Sequence, residues 1–447
     1  MTIDAITDLD ALVAAAHERY ADERPLSAAA DHRARRVLPG GNTRSVLDFA
    51  PFPFRVASAS DGELVDIDGH RYVDLCGNYT AGLLGHSPAA VRDAVVATLD
   101  RGWALGAVHE MEVELAELVC ARFPTIEQVR FTNSGTEANL MAIGTALHHT
   151  GRRAVGVFDR AYHGGVLSFG ADLDGPHHPL NVPHPFVVAP FDDIGGLDAL
   201  FEHDDLGCVL IEAVQGSGGC RPASSGFLHE LRRRCDEHGV VLVFDEVMTS
   251  RLAPGGAQDR FDVRADLTTL GKYLGGGFTF GAFGGRRDIM AAFDPSSGGA
   301  LTQAGTFNNN VASMSAAVAT LRHELPAARV IDVNERGDRL RAALIDAIET
   351  PAISVTGLGS MNSFHATDDR VLDLLFHHLL ADGFYTARRG FMALSMHVDD
   401  ESCDRLPPPP PPPPDSPSRF LRDGILWRSG RLTAKMKVWE ARPTKPS

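Results

Sequence analysis

Val240-Val241-Leu242-Val243-Phe244-Asp245-Glu246 sets five apolar residues in a row and then stops at two carboxylates. A half-buried strand would alternate apolar with polar; an unbroken run of this length fits a strand whose two faces are both covered. Strands of that kind belong to parallel sheets with helices on either side. Outward from it the pattern repeats. Residues 128–132, 154–158 and 208–212 are further strand-like runs, while residues 91–99, 112–122, 138–149 and 227–237 keep helical spacing. Strand and helix in alternation predict an α/β fold with a mainly parallel sheet, in a large domain over residues 88–329.

The flanks read differently. Ile3, Ile6, Leu9 and Val13 recur at three- and four-residue intervals ahead of the charged stretch 17–24, which predicts one amphipathic N-terminal helix. After the turn-rich Pro39-Gly40-Gly41-Asn42-Thr43-Arg44, the pairs Asp61-Gly62 and Asp68-Gly69 separate short strands at 63–67 and 71–75, so residues 1–87 carry a helix and small-domain strands. Val333, Leu340, Leu344 and Ile348 predict a helix over 330–350, followed by elements at 353–356, 371–380 and 391–396. Residues 330–406 therefore read as a smaller α+β domain. Pro407 to Pro414 is an eight-proline run, a polyproline II rod because every φ is fixed and no amide donor remains. Beyond it, residues 415–447 hold eight Lys or Arg against three acidic residues; this abrupt change has the look of a shifted frame or a replaced terminus, and disorder is expected from about residue 407.

Across 447 residues, 42 Lys plus Arg against 58 Asp plus Glu leave a formal charge of −16, which argues against a general nucleic-acid or anionic-membrane binder. No secretory or transit pattern opens the chain and no apolar run is long enough to span a bilayer, so a soluble cytoplasmic enzyme is expected. The six cysteines (Cys76, Cys120, Cys208, Cys220, Cys235, Cys403) are widely spaced and read as reduced thiols. Histidine pairs at 148–149, 177–178 and 377–378 match neither H-E-x-x-H nor C-x-x-C spacing, so they read as surface or loop residues and no metal is expected.

Three segments carry chemistry. Asp245 ends the central apolar strand, where open α/β sheets bind ligands, and an ionised carboxylate buried there needs a cationic or hydrogen-bonding partner; it also reads as a plain helix N-cap. Lys272 lies in Leu270-Gly271-Lys272-Tyr273-Leu274-Gly275-Gly276-Gly277. A lysine desolvated in such a stretch becomes a Schiff-base nucleophile, and the three glycines would admit a bound group closely, although a snorkelling surface lysine fits the same letters. Thr132-Asn133-Ser134-Gly135-Thr136-Glu137 precedes the helix at 138–149. Hydroxyls and glycine at a helix N-terminus make a phosphate cup, though a capping box also explains Ser134 and Glu137. Together, a phosphate cup, a buried aspartate and a reactive lysine at successive strand ends form the set that pyridoxal phosphate requires: the aspartate keeps the pyridine nitrogen protonated and the lysine holds the aldehyde as an imine.

At this point the chain resembles the class III (omega) aminotransferases of the fold type I pyridoxal phosphate enzymes, a family that includes glutamate-1-semialdehyde aminomutase. The resemblance rests on Asn133 through Ala138, Tyr162-His163-Gly164, Glu212 through Gly216, Asp245-Glu246-Val247-Met248-Thr249, Gly271 through Gly277 and Gly305-Thr306-Phe307, in that order, and covers about residues 30–405. It implies a mainly parallel seven-stranded sheet plus a smaller domain. It implies that Lys272 carries the cofactor, Asp245 pairs with the pyridine nitrogen, and Ser134, Gly135 and Thr136 hold the phosphate. Tyr162 would stack on the ring, Glu212 and Gln215 would lie on its O3′ side, and Thr306 would reach the phosphate of a neighbouring subunit in a homodimer.

Within the family the chain looks like the aromatic β-amino acid aminotransferases, on Asn42 through Leu47, Ala50-Pro51-Phe52-Pro53, Tyr79-Thr80-Ala81-Gly82, Thr249 through Pro254, Thr306 through Asn310 and Arg389-Gly390-Phe391. That likeness implies Arg44 as the grip on a β-amino acid carboxylate, Arg389 as the grip on the keto-acid acceptor, 2-oxoglutarate or another, and Tyr79 as a substrate contact. Arg44 alone also reads as a solvated loop residue, Arg389 follows Arg388 so that its register is open by one, and Arg251 reads as structural. The other activity the resemblance allows is an intramolecular aminomutase. A silent relative whose proline rod docks onto SH3-like or WW-like partners is disfavoured by the retention of Lys272 and Asp245. Past Asp404 the chain departs from the resemblance, whose members continue into a helix that closes the small domain.

Overall fold

Seven strands hydrogen-bond in the order Gln128–Thr132, Gly281–Gly285, Leu267–Gly271, Val241–Asp245, Leu206–Ile211, Ala154–Phe158, Phe186–Ala189. All run parallel except Gly281–Gly285, which is antiparallel to both neighbours. The computed structural model describes residues 3–170, 178–297, 300–348 and 350–406. The apolar run at 240–244 is divided between two cores as a strand covered on both faces must be. Val241 and Val243 join Ala138, Ala142, Ile143 and Ala146 on one face, and Leu242 and Phe244 join Phe227, Leu228 and Leu231 on the other.

The covering helices start and stop on local chemistry. Gly135–Thr150 is capped by Ser134, whose side chain accepts from the Glu137 amide, and ends at Gly151 with φ 69°. Ser225–His238 is capped by Ser224 and ends at Gly239 with φ 61°. Both C-terminal glycines supply the left-handed residue that closes such a helix end.

Two further sheets stand beside the large one. Val56–Ser60, Glu63–Asp66 and Arg71–Asp74 form an antiparallel meander, and Phe384–Tyr385 adds a parallel fourth strand from the far end of the chain. Ile353–Leu358, Met361–Ala366 and Phe391–Ala393 make an antiparallel three-stranded sheet backed by helix Ala327–Ala347. Helix Ile3–Glu23 packs against helix Asp369–Ala381.

Several expectations need correction. The N-terminal helix runs on through the charged stretch 17–23, because that segment presents Tyr20 to an aromatic cluster with Phe49, Phe52 and Phe54. Strands Val56–Ser60, Phe186–Ala189, Gly281–Gly285 and Met361–Ala366 escaped the sequence reading. Gly281-Ala282-Phe283-Gly284-Gly285 lacks β-formers because a Cβ on Gly281 would run into the Ser134 carbonyl and the Thr132 hydroxyl, and one on Gly284 into the Gln128 carbonyl. Of the three glycines expected to admit a bound group, Gly275 and Gly276 make room for Phe280, Thr320 and Val91 of this chain, while Gly277 has nothing within 4 Å of where a Cβ would be. His377 is buried in its helix instead of lying at the surface, and the proline run and basic tail lie outside the described residues, as does His177. All six cysteines are free thiols.

Replacing Gly281 by Ala forces backbone apart beside the phosphate cup and is expected to cost about 1–3 kcal/mol. Gly144→Ala, with nothing within 4 Å of the added methyl on helix Gly135–Thr150, is expected to leave stability unchanged or raise it by up to about 1 kcal/mol. Urea unfolding compares the two; equal midpoints would show that the strand accepts a side chain.

Candidate active site

Because their strands are parallel and close together, the residues after Thr132, Asp245 and Gly271 come out on one edge of the sheet. There the three segments singled out from sequence meet. Gly271 lies so near the cup that a Cβ on it would stand 3.5 Å from the Gly135 amide nitrogen and 3.2 Å from Val247.

Asp245 is 4% exposed, and its charge is met by hydrogen bonds. Its Oδ2 accepts from Asn139 Nδ2 and faces His163 Nδ1, both at 2.8 Å, while Oδ1 accepts from the Val247 amide at 3.0 Å. Asn139 is itself fixed, donating to the His163 carbonyl at 2.9 Å and accepting from Thr269 Oγ1 at 2.7 Å. Glu246 turns the other way and accepts from the Ala257 and Gln258 amides at the start of helix Ala257–Phe261, where burial pushes its carboxyl up to about 7. Asn139 and His163 had no role in the sequence reading. The available signals were the position of Asn139 one turn into the capped helix and the motif Tyr162-His163-Gly164, but neither shows that both point at Asp245.

Lys272 follows the strand Leu267–Gly271 with φ 54°, a left-handed conformation that a side chain makes costly. Its Nζ donates to the Tyr79 carbonyl at 2.7 Å. Desolvation lowers its ammonium to about 8; Asp245 and Glu212 oppose that shift, and Arg44 and Arg389 add to it.

Tyr79 belongs to an unusual turn in which Gly77, Asn78, Tyr79 and Thr80 have φ of 51°, 45°, 54° and 77°. Each non-glycine residue so placed costs roughly 1–2 kcal/mol, and specific bonds hold the turn. Asp74 Oδ1 accepts from the Cys76 and Gly77 amides, and the Gly82 amide donates to the Gly77 carbonyl. The Tyr79 ring stacks on Phe391, with centroids 5.6 Å apart, and its hydroxyl donates to the Val46 carbonyl. The Arg44 guanidinium lies 5.7 Å and that of Arg389 5.4 Å from the same ring centroid. Arg44 also donates to Asn78 Oδ1 at 2.7 Å and Arg389 to Ser217 Oγ at 2.9 Å. Of the two neighbouring arginines, Arg388 turns away to Asp373 and Arg389 faces Tyr79.

Of the remaining expected residues, Glu212 is buried and accepts from the Tyr162 and Gly216 amides; burial pushes its carboxyl up to about 7. Gln215 donates to the Asp159 carbonyl, and its Oε1 is buried without a hydrogen-bond partner among the described residues. Tyr162 is 42% exposed. Thr306 is exposed in a loop that returns to the cup through Asn308, whose Oδ1 accepts from Asn133 Nδ2 at 3.0 Å; Thr306 itself makes no hydrogen bond to the cup among the described residues. Arg251 is structural, buried between Ser360 Oγ and the Leu394 carbonyl.

A desolvated lysine, an aspartate held by three donors and a helix N-terminus on one edge of the sheet are the elements of a fold type I pyridoxal phosphate site, and comparison with known proteins agrees. Residues 48–406 match the family model described as aminotransferase class-III. The chain is 46% identical over 414 residues to the β-phenylalanine transaminase of Variovorax paradoxus, covering 89% of this chain and 94% of that protein. The crystal structure of a β-phenylalanine aminotransferase from the same organism superposes with a TM-score of 0.86 at 46% identity, covering 89% of this chain and 95% of the other. A transaminase solved with pyridoxal phosphate bound gives a TM-score of 0.78 at 33% identity over 85% of this chain and 95% of that one. A glutamate-1-semialdehyde 2,1-aminomutase from Methanothrix thermoacetophila is 39% identical over 344 residues, 74% of this chain and 79% of that protein. The chain belongs to the class III aminotransferases and is a pyridoxal phosphate-dependent transaminase.

The residues present fit that cofactor. The Gly135 and Thr136 amides have no intrahelical partners, as at any helix start, and a Cβ on Gly135 would stand 2.7 Å from Val247. Asp245 Oδ1 accepts one bond and retains a lone pair for a ring N–H.

With its folded value near 8 against an ordinary lysine value of 10.5, Lys272 holds fewer protons in the folded cofactor-free chain than in the unfolded one between those limits. Stability therefore rises with pH across that window, and the cost of burying the ammonium is fully present below it. Comparing cofactor-free wild type with Lys272→Met by urea unfolding at pH 7 and pH 10 is expected to show wild type gaining relative to the variant. A constant difference would show that the amine is not desolvated.

Proposed function

We propose that this transaminase moves the amino group of an aromatic β-amino acid, of the β-phenylalanine kind, to a 2-oxo acid such as 2-oxoglutarate. The observation that carries this reading is the convergence of Arg44 and Arg389 on the ring of Tyr79, whose carbonyl holds the Lys272 amine. Two exposed guanidiniums offer separate forks for two carboxylates, both against the ring of Tyr79, which the buried Phe391 backs. A β-amino acid reacts at Cβ, one atom farther from its carboxylate than an α-amino acid, so its grip must stand off from the lysine. The 46% identity to a β-phenylalanine transaminase supports the same choice.

In this reading Lys272 takes the proton from the carbon bearing the amine and carries it to the far side of the carbon–nitrogen bond, a task suited to an amine that titrates near 8. Asp245, aimed by Asn139 and His163, keeps the ring nitrogen protonated. Ser134, Gly135 and Thr136 hold the phosphate; the Ser134 oxygen accepts the Glu137 amide and so keeps its own O–H free to donate. Tyr162 covers the ring, and Glu212 and Gln215 flank its O3′ side. The cofactor, when bound, supplies the electron sink for the bond broken at the substrate carbon. Thr306 serves the phosphate of a second subunit. The homodimer this requires is supported by exposed apolar side chains at Trp103, Val108 and Phe307, of which Val108 is 87% exposed.

Adding racemic β-phenylalanine without a keto acid is expected to bleach the visible absorbance of the purified enzyme as the cofactor takes the amine, and Lys272→Ala is expected to lose both absorbance and turnover. A spectrum that ignores β-phenylalanine but answers to a diamino or semialdehyde compound would favour the aminomutase instead. Arg44→Gln is expected to raise KM for the β-amino acid, and Arg389→Gln that for the 2-oxo acid, each by about 10- to 100-fold, the loss of a charge-assisted hydrogen bond. Equal effects of both variants on both substrates would remove the division of labour.

A further inference from the structure

Where the N-terminal helix Ile3–Glu23 lies against Asp369–Ala381, His17, Asp373 and His377 come together, with one ligand atom of each within 4.8 Å of the others. Among the described residues this is the one group of three or more His, Cys, Asp or Glu side chains so placed. His17 and Asp373 are 356 residues apart, so no spacing motif announces them.

The geometry at His377 points to a ligand. The residue is 6% exposed, and its Nε2 stands 3.0 Å from the Ala50 carbonyl, which can only accept. Nε2 therefore carries the proton, and Nδ1 presents a bare lone pair. That Nδ1 is buried and has no hydrogen-bond partner among the described residues. An imidazole whose N–H is tied to a carbonyl, with the other nitrogen left open, is how protein histidines are prepared for a metal. Asp373, 4% exposed, is prepared in the same way: Oδ1 accepts from Arg388 Nε at 2.8 Å, leaving Oδ2 turned toward His17 Nε2 at 2.6 Å. The His17 and His377 rings meet edge to face with centroids 4.8 Å apart, and the His17 side chain, 23% exposed, leaves a path from solvent.

We propose that His17 Nε2, Asp373 Oδ2 and His377 Nδ1 form a binding site for a divalent transition metal, zinc foremost, with water in the fourth position. Two imidazoles and one carboxylate match the ligands of tetrahedral zinc, whose donor atoms stand roughly 3.3 Å apart given bonds of about 2.0–2.1 Å. Seating the ion opens the 2.6 Å contact between His17 and Asp373 and draws His377 inward, side-chain rotations on two helices. His17 binds as the neutral imidazole with its proton on Nδ1: the charged form releases its Nε2 proton to solvent, and a neutral ring protonated at Nε2 shifts that proton to Nδ1. The ion would staple the helix Ile3–Glu23 to the helix Asp369–Ala381.

Full-length holoenzyme, stripped with a chelator and freed of it, is titrated with Zn²⁺ and followed by metal analysis and thermal melting. Wild type is expected to bind one zinc per chain more than His17→Gln or His377→Phe, and to melt at a higher temperature with zinc than without, a rise both variants lose. Equal stoichiometry and equal shifts in wild type and His17→Gln would overturn the proposal. Should a variant fail to fold, Co²⁺ added to wild type alone decides: the intense visible bands of a four-coordinate site support it, and the weak spectrum of six-coordinate aqueous Co²⁺ refutes it.

Discussion

An ionised carboxylate at the end of a buried strand is the constraint around which this molecule is organised. Asp245 stands where five apolar residues run out, in surroundings where an unpaired charge costs several kcal/mol. The protein meets that charge with donors from three elements: Asn139 from the helix after the cup, His163 from the loop after Ala154–Phe158, and the amide of Val247. Holding those donors in place requires the order of the central strands, so the electrostatics of one side chain and the topology of the sheet are a single problem. Those three donors fix the carboxylate in one orientation at the end of the strand.

The second organising element is conformational. Four successive residues from Gly77 to Thr80 lie in the left-handed region, and Lys272 across from them does as well. Strain of this kind persists where surrounding structure over-determines it. Here Asp74, the stacked Phe391 and a backbone carbonyl of Ala393 that stands 2.6 Å from where a Cβ on Gly77 would be all press on the turn. Its product is one residue, Tyr79, that serves the lysine with its carbonyl and both arginines with its ring.

Much of this was legible in the letters, for reasons of period and position. Buried parallel strands print as continuous apolar runs, so Val241–Asp245 and its neighbours could be read directly, and Ser134, Asp245 and Lys272 stood out because polar groups at strand ends need a reason. What escaped was set by neighbours far away in sequence. Gly281–Gly285 is a strand because adjacent backbone leaves no room for side chains, and composition alone says loop. Asn139 and His163 look like ordinary helix and loop residues until the sheet brings Asp245 between them. Arg388 and Arg389 could not be told apart by their letters, since only the turn of the backbone decides which one meets Asp373 and which one Tyr79.

The four-stranded sheet has one more implication. Its meander, Val56–Ser60 to Arg71–Asp74, is made early in synthesis, yet the parallel strand that completes it, Phe384–Tyr385, comes near the end of the described chain. The helix that packs on Ile3–Glu23 is equally late. While the ribosome is still working, the large sheet can close around residues 128–285 as its strands emerge, but the meander lacks its fourth strand and the helix Ile3–Glu23 lacks the helix it packs on. The aromatic cluster of Tyr20, Phe49, Phe54 and Tyr72 must therefore wait for Phe376 and Leu380, which are made some three hundred residues later. Chaperones that guard nascent chains would find their longest-lived client surface there.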